Sequence, residues 1–322
     1  MKILVTGATG QIGSELMPHL REKFPKAEII AANLPNNKVV NQNLDEVFVV
    51  QLDVSDMSSL RQLMNVHKPE VIYHLAGILS ATGERDPQIA WNTNVLGLKN
   101  VLDCAVEQKT KKIFWPSSIA AFGKTTPKEN TPQRTVMEPN TMYGLNKVAG
   151  ELLCQYYVSK YGLDIRSVRF PGIVSYKTVP GGGTTDYAVD MFYKAVLEQP
   201  YTCFVSAETI LPMMYMDDAI RAIDLLMDAP VKKLTVHTSY NLGALNFSAA
   251  QLASAIQNRI PSFVCKYVPD YRQQIANTWP RTIDDSQARG DWDWNPSFDL
   301  DRMVSTMLEH LRQKLKLTHG SI

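Results

Sequence analysis

The sequence predicts an α/β protein whose first half is a doubly wound parallel sheet, followed by a smaller mixed α/β region. Three observations support this prediction. Short apolar runs rich in β-branched residues alternate with longer amphipathic segments through the first half, which is typical of repeated βαβ units. A glycine-rich turn directly follows the first run, where a strand would pass into a helix. The hydrophobic share of 45% over 322 residues is sufficient for a packed core.

The elements of the first half are predicted from hydrophobic periodicity. Short apolar runs predict strands, and apolar residues spaced three and four apart predict helices. The predicted strands are Lys2–Thr6, Ala27–Ala31, Val47–Gln51, Val71–Leu75, Lys112–Pro116 and Ile165–Arg169. The predicted helices are Ser14–Phe24, Met57–Val66, Gln88–Gln108 and Tyr143–Tyr161.

The pattern becomes less regular after Pro171, where glycines at 181–183 predict a flexible loop. We expect a first domain over residues 1–171, to which residues 211–243 return, and a mainly substrate-binding region over residues 172–322. A ligand is expected between the two regions. The elements predicted after the loop are helices Tyr187–Leu197, Met216–Met227 and Ser248–Gln257 and strands Thr235–Leu242 and Phe263–Val268.

Composition argues against several classes of protein. The 33 basic side chains nearly balance the 32 acidic ones, so no surplus of positive charge favours nucleic acid or an anionic membrane surface. No apolar run approaches the roughly 20 residues of a membrane-spanning helix. The opening residues enter the first predicted strand at once, from which we expect no signal peptide and a cytoplasmic location. The expected partner is a small molecule.

A metal site is not expected either. The cysteines are far apart and form no C-x-x-C pair, and the six histidines form no H-E-x-x-H cluster. We therefore interpret the cysteines as reduced structural residues, and expect a mechanism that needs no metal. The four cysteines are Cys104, Cys154, Cys203 and Cys265.

The glycine turn after the first strand predicts a dinucleotide site of the Rossmann type. Gly7, Gly10 and Gly13 have the G-x-x-G-x-x-G spacing, with Gln11 and Ile12 between the last two. Glycines at these positions allow a tight turn, a close approach to a pyrophosphate and close packing of helix on strand. The N-terminus of the following helix offers unpaired N–H groups to the phosphates. A turn that only packs does not need three glycines at this spacing.

The second and third strands are expected to contact the adenosine. Asn33 stands where an acid would bind the ribose hydroxyls, and it can still form a hydrogen bond to the 2′-hydroxyl. No nearby arginine follows Asn33 to hold the 2′-phosphate of NADP, and the nearest cation is Lys38. NAD is therefore favoured over NADP. Asp53, followed by Val54, is placed to accept a hydrogen bond from the adenine amino group. Asp53 could instead cap the next helix.

A tyrosine and a lysine four residues apart predict an acid–base site. Tyr143 and Lys147 share one face of a helix, and a fixed cation is expected to lower the pKa of the phenol. The tyrosine could then take a proton from a substrate alcohol during hydride transfer to an oxidised nicotinamide. Ser118 ends a predicted strand at the edge where ligands bind, and can polarise the substrate oxygen. Taken alone, the spacing could arise by chance and the serine could be a turn residue.

These segments together resemble the extended short-chain dehydrogenases, a family that includes nucleotide-sugar epimerases. The resemblance implies that Ser118, Tyr143 and Lys147 form the catalytic set, that Lys147 also holds the nicotinamide ribose, and that Leu75 and Ala76 line the cofactor. It also implies a homodimer built from helices 88–108 and 143–161. The segments that carry the resemblance are the glycine turn, Tyr73–Gly77, Asn94–Leu102, Ser118, Tyr143 with Lys147, Met216–Ala219, Asp284–Arg289 and Trp294–Pro296.

The substrate side departs from the nucleotide-sugar enzymes. Ile210 stands where those enzymes carry an arginine for the diphosphate, which disfavours a large anionic substrate. Segments 175–188 and 211–216 instead resemble a branch of the family that oxidises the side-chain hydroxyl of L-threonine to 2-amino-3-oxobutyrate. Ser80 and Thr185 are candidates to bind its carboxylate or amine, and Trp279 to cover its methyl side. Alternatively, Ser80 could be a loop residue, Thr185 a helix cap and Trp279 a residue that packs at an interface.

Two other functions remain open from the sequence. A nucleotide-sugar epimerase or dehydratase would use the same cofactor residues but needs ligands for a diphosphate. A regulatory protein that only senses the cofactor would not need the set of Ser118, Tyr143 and Lys147.

Overall fold

A seven-stranded parallel sheet is formed mainly by the first half of the chain. The structure is a computed structural model that describes residues 1–34, 47–179 and 181–319, with side chains as far as residue 315. The strand order is β10-β6-β5-β4-β1-β2-β3, and every neighbouring pair is parallel. The strands of this sheet are Lys2–Thr6 (β1), Glu28–Asn33 (β2), Val47–Gln51 (β3), Val71–His74 (β4), Lys112–Ser118 (β5), Ile165–Phe170 (β6) and Tyr240–Asn241 (β10).

Helices cover both faces of this sheet, which confirms the doubly wound α/β prediction. One face packs against α1 (Gly13–Lys23) and α8 (Met216–Asp228), through side chains such as Leu16 and Ile223. The other face packs against α2 (Met57–His67), α5 (Gly97–Gln108) and α6 (Met142–Tyr161). No helix in the described ranges is long and apolar enough to cross a membrane.

The rest of the chain forms a separate mixed core. A three-stranded sheet has the order β11-β9-β7 and a two-stranded sheet pairs β12 with β8. Helices of this part contribute buried side chains to one hydrophobic cluster, for example Phe192, Leu252 and Met307. The strands are Gly172–Val174 (β7), Tyr201–Cys203 (β8), Ile210–Tyr215 (β9), Leu245–Ser248 (β11) and Cys265–Tyr267 (β12). The helices of the cluster are Tyr187–Val196 (α7), Ala249–Gln257 (α9), Tyr271–Ala276 (α10) and Leu300–His319 (α12).

Several short helices complete the fold. Ser80–Arg85 (α3) and Pro87–Trp91 (α4) precede a π-helix over Asn92–Leu96. Ser286–Trp292 forms α11, and 3-10 helices span Ile119–Ala121 and Val231–Lys233.

The single helix predicted over Gln88–Gln108 was wrong in its interior. A five-residue π-helix separates α4 from α5 there. The amide of Asn94, inside the π-helix, forms two hydrogen bonds to the backbone of Ile78, one donated from Nδ2 and one accepted at Oδ1. Such bulges arise where a side chain is drawn to an outside partner, and they are frequent at functional sites.

The strand predicted over Thr235–Leu242 was too long, because only Tyr240–Asn241 is a strand. The backbone amide of Thr235 donates to the carboxylate of Asp291 and to the hydroxyl of Tyr240, and the amide of Val236 also donates to that hydroxyl. These donors are therefore not available to a neighbouring strand. The strand predicted over Phe263–Val268 is likewise shorter, at Cys265–Tyr267.

Candidate functional site

The main cavity lies where the strand order reverses, between β1 and β4. In doubly wound sheets the ligand binds at this point, outside the carboxyl ends of the strands. The cavity has a volume of about 230 Å³. It brings together these residues selected from the sequence: Gly7, Gly10, Gln11, Ile12, Gly13, Leu75, Ser80, Ser118, Tyr143, Lys147, Thr185 and Trp279. Four other selected residues lie outside its lining: Asn33, Asp53, Val54 and Ala76.

The glycine turn fits a dinucleotide pyrophosphate. Gly7 has φ +68°, and a Cβ atom there would lie 2.7 Å from the backbone nitrogen of Ala76. A Cβ atom at Gly13 would lie 2.4 Å from the carbonyl oxygen of Gly7. Both positions therefore require glycine, while Gly10 is exposed to the cavity. The turn is therefore closed by backbone packed on backbone, and it precedes a helix whose N-terminal N–H groups suit a phosphate.

Asn33 is tied to this turn. Its Oδ1 atom accepts hydrogen bonds from the backbone N–H and the hydroxyl of Thr9, at 2.9 and 3.0 Å. Its Nδ2 atom is buried and has no partner among the described residues. An orphaned amide donor at the end of β2 suits a ribose hydroxyl as acceptor. Lys38, the cation considered for a 2′-phosphate, lies outside the described residues.

The residues after β3 have local partners. Asp53 is exposed and accepts hydrogen bonds from the backbone N–H and the hydroxyl of Ser55, at 2.9 and 2.7 Å. The cap of α2 is Asp56, not Asp53. Val54 is buried against α5, where its Cγ2 atom would lie 2.7 Å from a Cβ atom at Gly97. The helix-cap alternative for Asp53 is therefore wrong, and its proposed contact with adenine stays a prediction.

The first two turns of α6 place Tyr143 and Lys147 in the lining of the cavity. Thr141 caps this helix, because its hydroxyl accepts a hydrogen bond from the N–H of Gly144 at 3.1 Å. The ammonium of Lys147 donates to the carbonyl oxygen of Pro116 at 2.6 Å and lies 5.3 Å from the ring centre of Tyr143. The tyrosine and the lysine therefore meet on one helix face, as their spacing predicts.

The expected lowering of the tyrosine pKa was wrong for the protein alone. Burial raises the pKa of Tyr143 to about 12, although its contact with Ser118 opposes this shift. Burial also lowers the pKa of Lys147 to about 8, while Cys154 and Glu151 act in the opposite direction. Loss of water around each group is therefore the largest cause of both pKa shifts.

The two serines at the end of β5 have different partners. The Ser118 hydroxyl accepts a hydrogen bond from the N–H of Ala120 at 3.2 Å, so this residue does cap the 3-10 helix after the strand. It also interacts with the phenol of Tyr143 inside the cavity. Ser117 is buried, and its hydroxyl donates to the carboxylate of Glu151 at 2.6 Å. Ser118 is thus both a turn residue and a candidate ligand of substrate.

The three residues proposed for substrate also line the cavity. Ser80 is the first residue of α3 and is buried, and Thr185 lies just before α7 without capping it. Trp279 is 6% exposed, and its indole N–H has no partner among the described residues. All three face the cavity that contains Tyr143.

Sequence reasoning missed the residue that shapes the glycine loop. The Oδ2 atom of Asp186 accepts hydrogen bonds from the N–H groups of Gly182 and Gly183, each at 2.7 Å. Burial raises the pKa of this carboxyl group. Pro180, in the same loop, lies outside the described residues. An acid shortly after consecutive glycines was the available signal, since Asp side chains in turns commonly accept hydrogen bonds from nearby backbone N–H groups.

The charges of the cavity limit its ligands. Among the described residues of its lining, only Lys147 and Asp186 carry a charge, and none is an arginine. Ile210 is the first residue of β9, opposite Ser248, and does not line the cavity. Apart from Lys147, the described lining therefore offers no cation to a diphosphate. The described residues also contain no group of three or more side chains suited to a metal ion.

Comparisons with known proteins agree with this geometry. Residues 3–243 match the NAD dependent epimerase/dehydratase family. An uncharacterized epimerase/dehydratase of Staphylococcus aureus (strain USA300) is 46% identical over 314 residues, which is 97% of each chain.

Two solved structures are similar over nearly the whole chain. A GalE-like L-threonine dehydrogenase from Cupriavidus necator, in its holo form, is 49% identical with a TM-score of 0.92, covering 97% of this chain and 100% of the other. A monomeric L-threonine 3-dehydrogenase from a metagenome database is 47% identical with a TM-score of 0.92, covering 97% and 99%. With its glycine turn, its parallel sheet and these similarities, the chain belongs to the NAD dependent epimerase/dehydratase family.

Proposed function

We propose that this enzyme uses NAD to oxidise the side-chain hydroxyl of L-threonine to 2-amino-3-oxobutyrate. The observation that carries the proposal is the lining of the cavity, where Ser118, Tyr143 and Lys147 meet and the described residues include no arginine for a diphosphate. A small zwitterion suits a cavity whose lining carries one positive and one negative side chain. The names of the similar structures support the same substrate.

The cofactor is held by residues at the ends of the first strands. The glycine turn takes the pyrophosphate, the free amide donor of Asn33 takes a ribose hydroxyl, and Asp53 takes the adenine. Leu75, beside Ala76, lines the nicotinamide end, and Lys147 binds the nicotinamide ribose. When bound, NAD supplies the acceptor for the hydrogen that leaves the substrate carbon with its electron pair.

Three side chains act on the hydroxyl of the substrate. Ser118 donates a hydrogen bond that orients the oxygen, and Tyr143 takes its proton as general base. The ammonium of Lys147, 5.3 Å from the tyrosine ring, stabilises the phenolate form. No metal takes part in this mechanism.

The amino-acid part of the substrate, which is a zwitterion, is recognised by other residues of the same cavity. Ser80 and Thr185 bind its carboxylate or amine, and Trp279 covers its methyl side. These residues come from the part of the chain that we assign to substrate, residues 172–322, except for Ser80. Residues 181–186, three glycines followed by two threonines and Asp186, close on the substrate and exclude water.

The second candidate, a nucleotide-sugar epimerase or dehydratase, is favoured only by the shared family. Formation of NADH from L-threonine is followed by absorbance, and conversion of UDP-glucose by chromatography, because an epimerase or dehydratase returns the hydride and leaves no net NADH. We expect product with L-threonine and NAD, slower turnover with NADP, and none with UDP-glucose. Conversion of UDP-glucose without formation of NADH from L-threonine would show that the threonine proposal is wrong.

We further propose that the protein is a homodimer that functions in the cytoplasm. The helices expected at the interface carry exposed apolar side chains, including Trp91, Leu152 and Tyr156. A patch of this kind on two neighbouring helices is typical of a protein interface. One similar structure is nevertheless described as monomeric.

A further inference from the structure

The ammonium of Lys147 is buried without a carboxylate partner. The residue is 7% exposed, and no acid in the described part of the chain forms an ion pair with it. Its hydrogen bond to the carbonyl of Pro116 satisfies one of its three donors. A buried charge needs further compensation, or it is lost to the neutral form.

An aromatic face provides this compensation. The ammonium lies 4.7 Å from the ring centre of Trp115, a buried residue on β5 that points toward α5 and α6. The ring of Tyr143 lies slightly farther away, at 5.3 Å. Indole is the side chain whose face attracts cations most strongly, and the attraction increases when water is excluded.

Gly150 makes room for this indole. A Cβ atom at Gly150 would lie 2.4 Å from the Cη2 atom of Trp115 and 2.5 Å from its Cζ2 atom. Glycine is unfavourable in the interior of a helix, and this one lies in the middle of α6. The close contact explains why it is present: helix α6 could not approach Trp115 with a larger residue there.

The other titratable groups around Lys147 do not replace the indole. On α6, Glu151 forms an ion pair with Arg169 of β6 at 2.7 Å and accepts a hydrogen bond from Ser117. Burial raises the pKa of the Cys154 thiol, so this group stays neutral. On β4, burial and Lys147 itself lower the pKa of His74 to about 3, so this imidazole is also neutral.

We propose that Trp115 is a positioning residue of the site, whose indole face serves as the counter-group that keeps Lys147 charged and directed into the cavity. The inference rests on the proposed function, in which a charged Lys147 supports the tyrosine base. Trp115 does not line the cavity, so it acts only through Lys147.

The test is the titration of Lys147 in the full-length protein without cofactor. Lysine labelled with ¹³C at the ε carbon gives one NMR signal per residue, and the Lys147 signal is the one absent from Lys147→Arg. We expect the pKa of Lys147 to fall by about one unit in Trp115→Met, which fills space without a ring, and by less in Trp115→Phe. Thermal unfolding of each variant shows whether it is folded.

Should the methionine variant fail to fold, the phenylalanine variant carries the test, because benzene binds cations less strongly than indole and a lower pKa is still expected. An unchanged pKa of Lys147 in every folded variant would overturn the proposal. This result is distinct from failure of the proposed function, which would appear as an absence of turnover of L-threonine by the wild-type protein.

Discussion

At the scale of single residues, Tyr143 and Lys147 are two buried titratable groups whose pKa values burial shifts in opposite directions. In the protein alone the pKa of Lys147 is lowered to about 8 and that of Tyr143 is raised to about 12, both by burial. The first proton to leave the pair therefore leaves near pH 8. A positive charge beside the phenol, such as that of an oxidised nicotinamide, favours the phenolate. The first proton is then lost from Tyr143 instead of Lys147, and the phenolate so formed is the general base.

The pair predicts the pH dependence of turnover. Catalysis needs the form in which Tyr143 and Lys147 together have lost one proton. We therefore expect kcat/KM for L-threonine to rise about tenfold per pH unit below roughly pH 8 and to level off above it. In Lys147→Met the phenol alone remains, with its raised pKa, so the rising limb should move to higher pH by at least about one unit. The measurement is the pH profile of both proteins. A limb at the same pH in the variant would contradict the coupling.

Asn33 predicts the choice between NAD and NADP. In Asn33→Asp the carboxylate can still accept both hydrogen bonds from Thr9, but it adds a negative charge where a 2′-phosphate would lie. We expect the preference for NAD over NADP, measured as the ratio of kcat/KM values, to increase by at least about tenfold. Asn33→Leu is the matched control for loss of the hydrogen bonds without added charge. An unchanged ratio in Asn33→Asp would show that the ribose does not approach this residue.

At the scale of elements, the glycine loop depends on Asp186. Replacing it with alanine leaves the N–H groups of Gly182 and Gly183 without their acceptor. We expect the KM for L-threonine to rise about tenfold, since an ordered loop must then form on binding, with little change in NAD affinity. Asp186→Asn, which keeps an acceptor, should restore most of the loss. The exposed Asp301→Ala serves as a control remote from the cavity. Steady-state kinetics in which NAD affinity changes instead would contradict this role.

The elements that the sequence predicted correctly are those with a strong local signal. Strand β1, helix α2 and helix α6 each have an apolar pattern that agrees with their burial in the sheet. The π-helix was missed because it depends on a contact between Asn94 and Ile78, sixteen positions apart. The short strand Gly172–Val174 was missed because its three residues carry no periodicity.

In the candidate site, too, the sequence predicted what depends on local spacing and missed what depends on contacts between distant residues. Tyr143 and Lys147 could be paired from sequence, because helical geometry fixes the separation of residues four apart. The hydrogen bonds from Thr9 to Asn33, and the indole of Trp115 beside Lys147, depend on how strands and helices meet in space. The pKa of Tyr143 could not be predicted either, since its shift comes mainly from burial.

At the scale of the whole molecule, the exposed face of α6 predicts the oligomeric state. Leu152 and Tyr156 are 55% and 51% exposed and lie one turn apart on this helix. We expect light scattering to give twice the chain mass of 36.1 kDa for the wild type, and the chain mass itself for the double variant Leu152→Lys, Tyr156→Lys. Tyr271→Lys changes an apolar side chain that is 61% exposed on α10 and should leave the dimer intact. A monomeric wild type would contradict the proposal.

The most direct test of the central claim compares the wild type with Tyr143→Phe. The measurement is the initial rate of NADH formation from L-threonine, together with the affinity of each protein for NAD. We predict that kcat falls by about 100-fold to 10,000-fold in the variant, because the general base is lost, while NAD binds with nearly unchanged affinity. Turnover that survives unchanged in Tyr143→Phe, or a wild-type protein that forms no NADH from L-threonine, would contradict it.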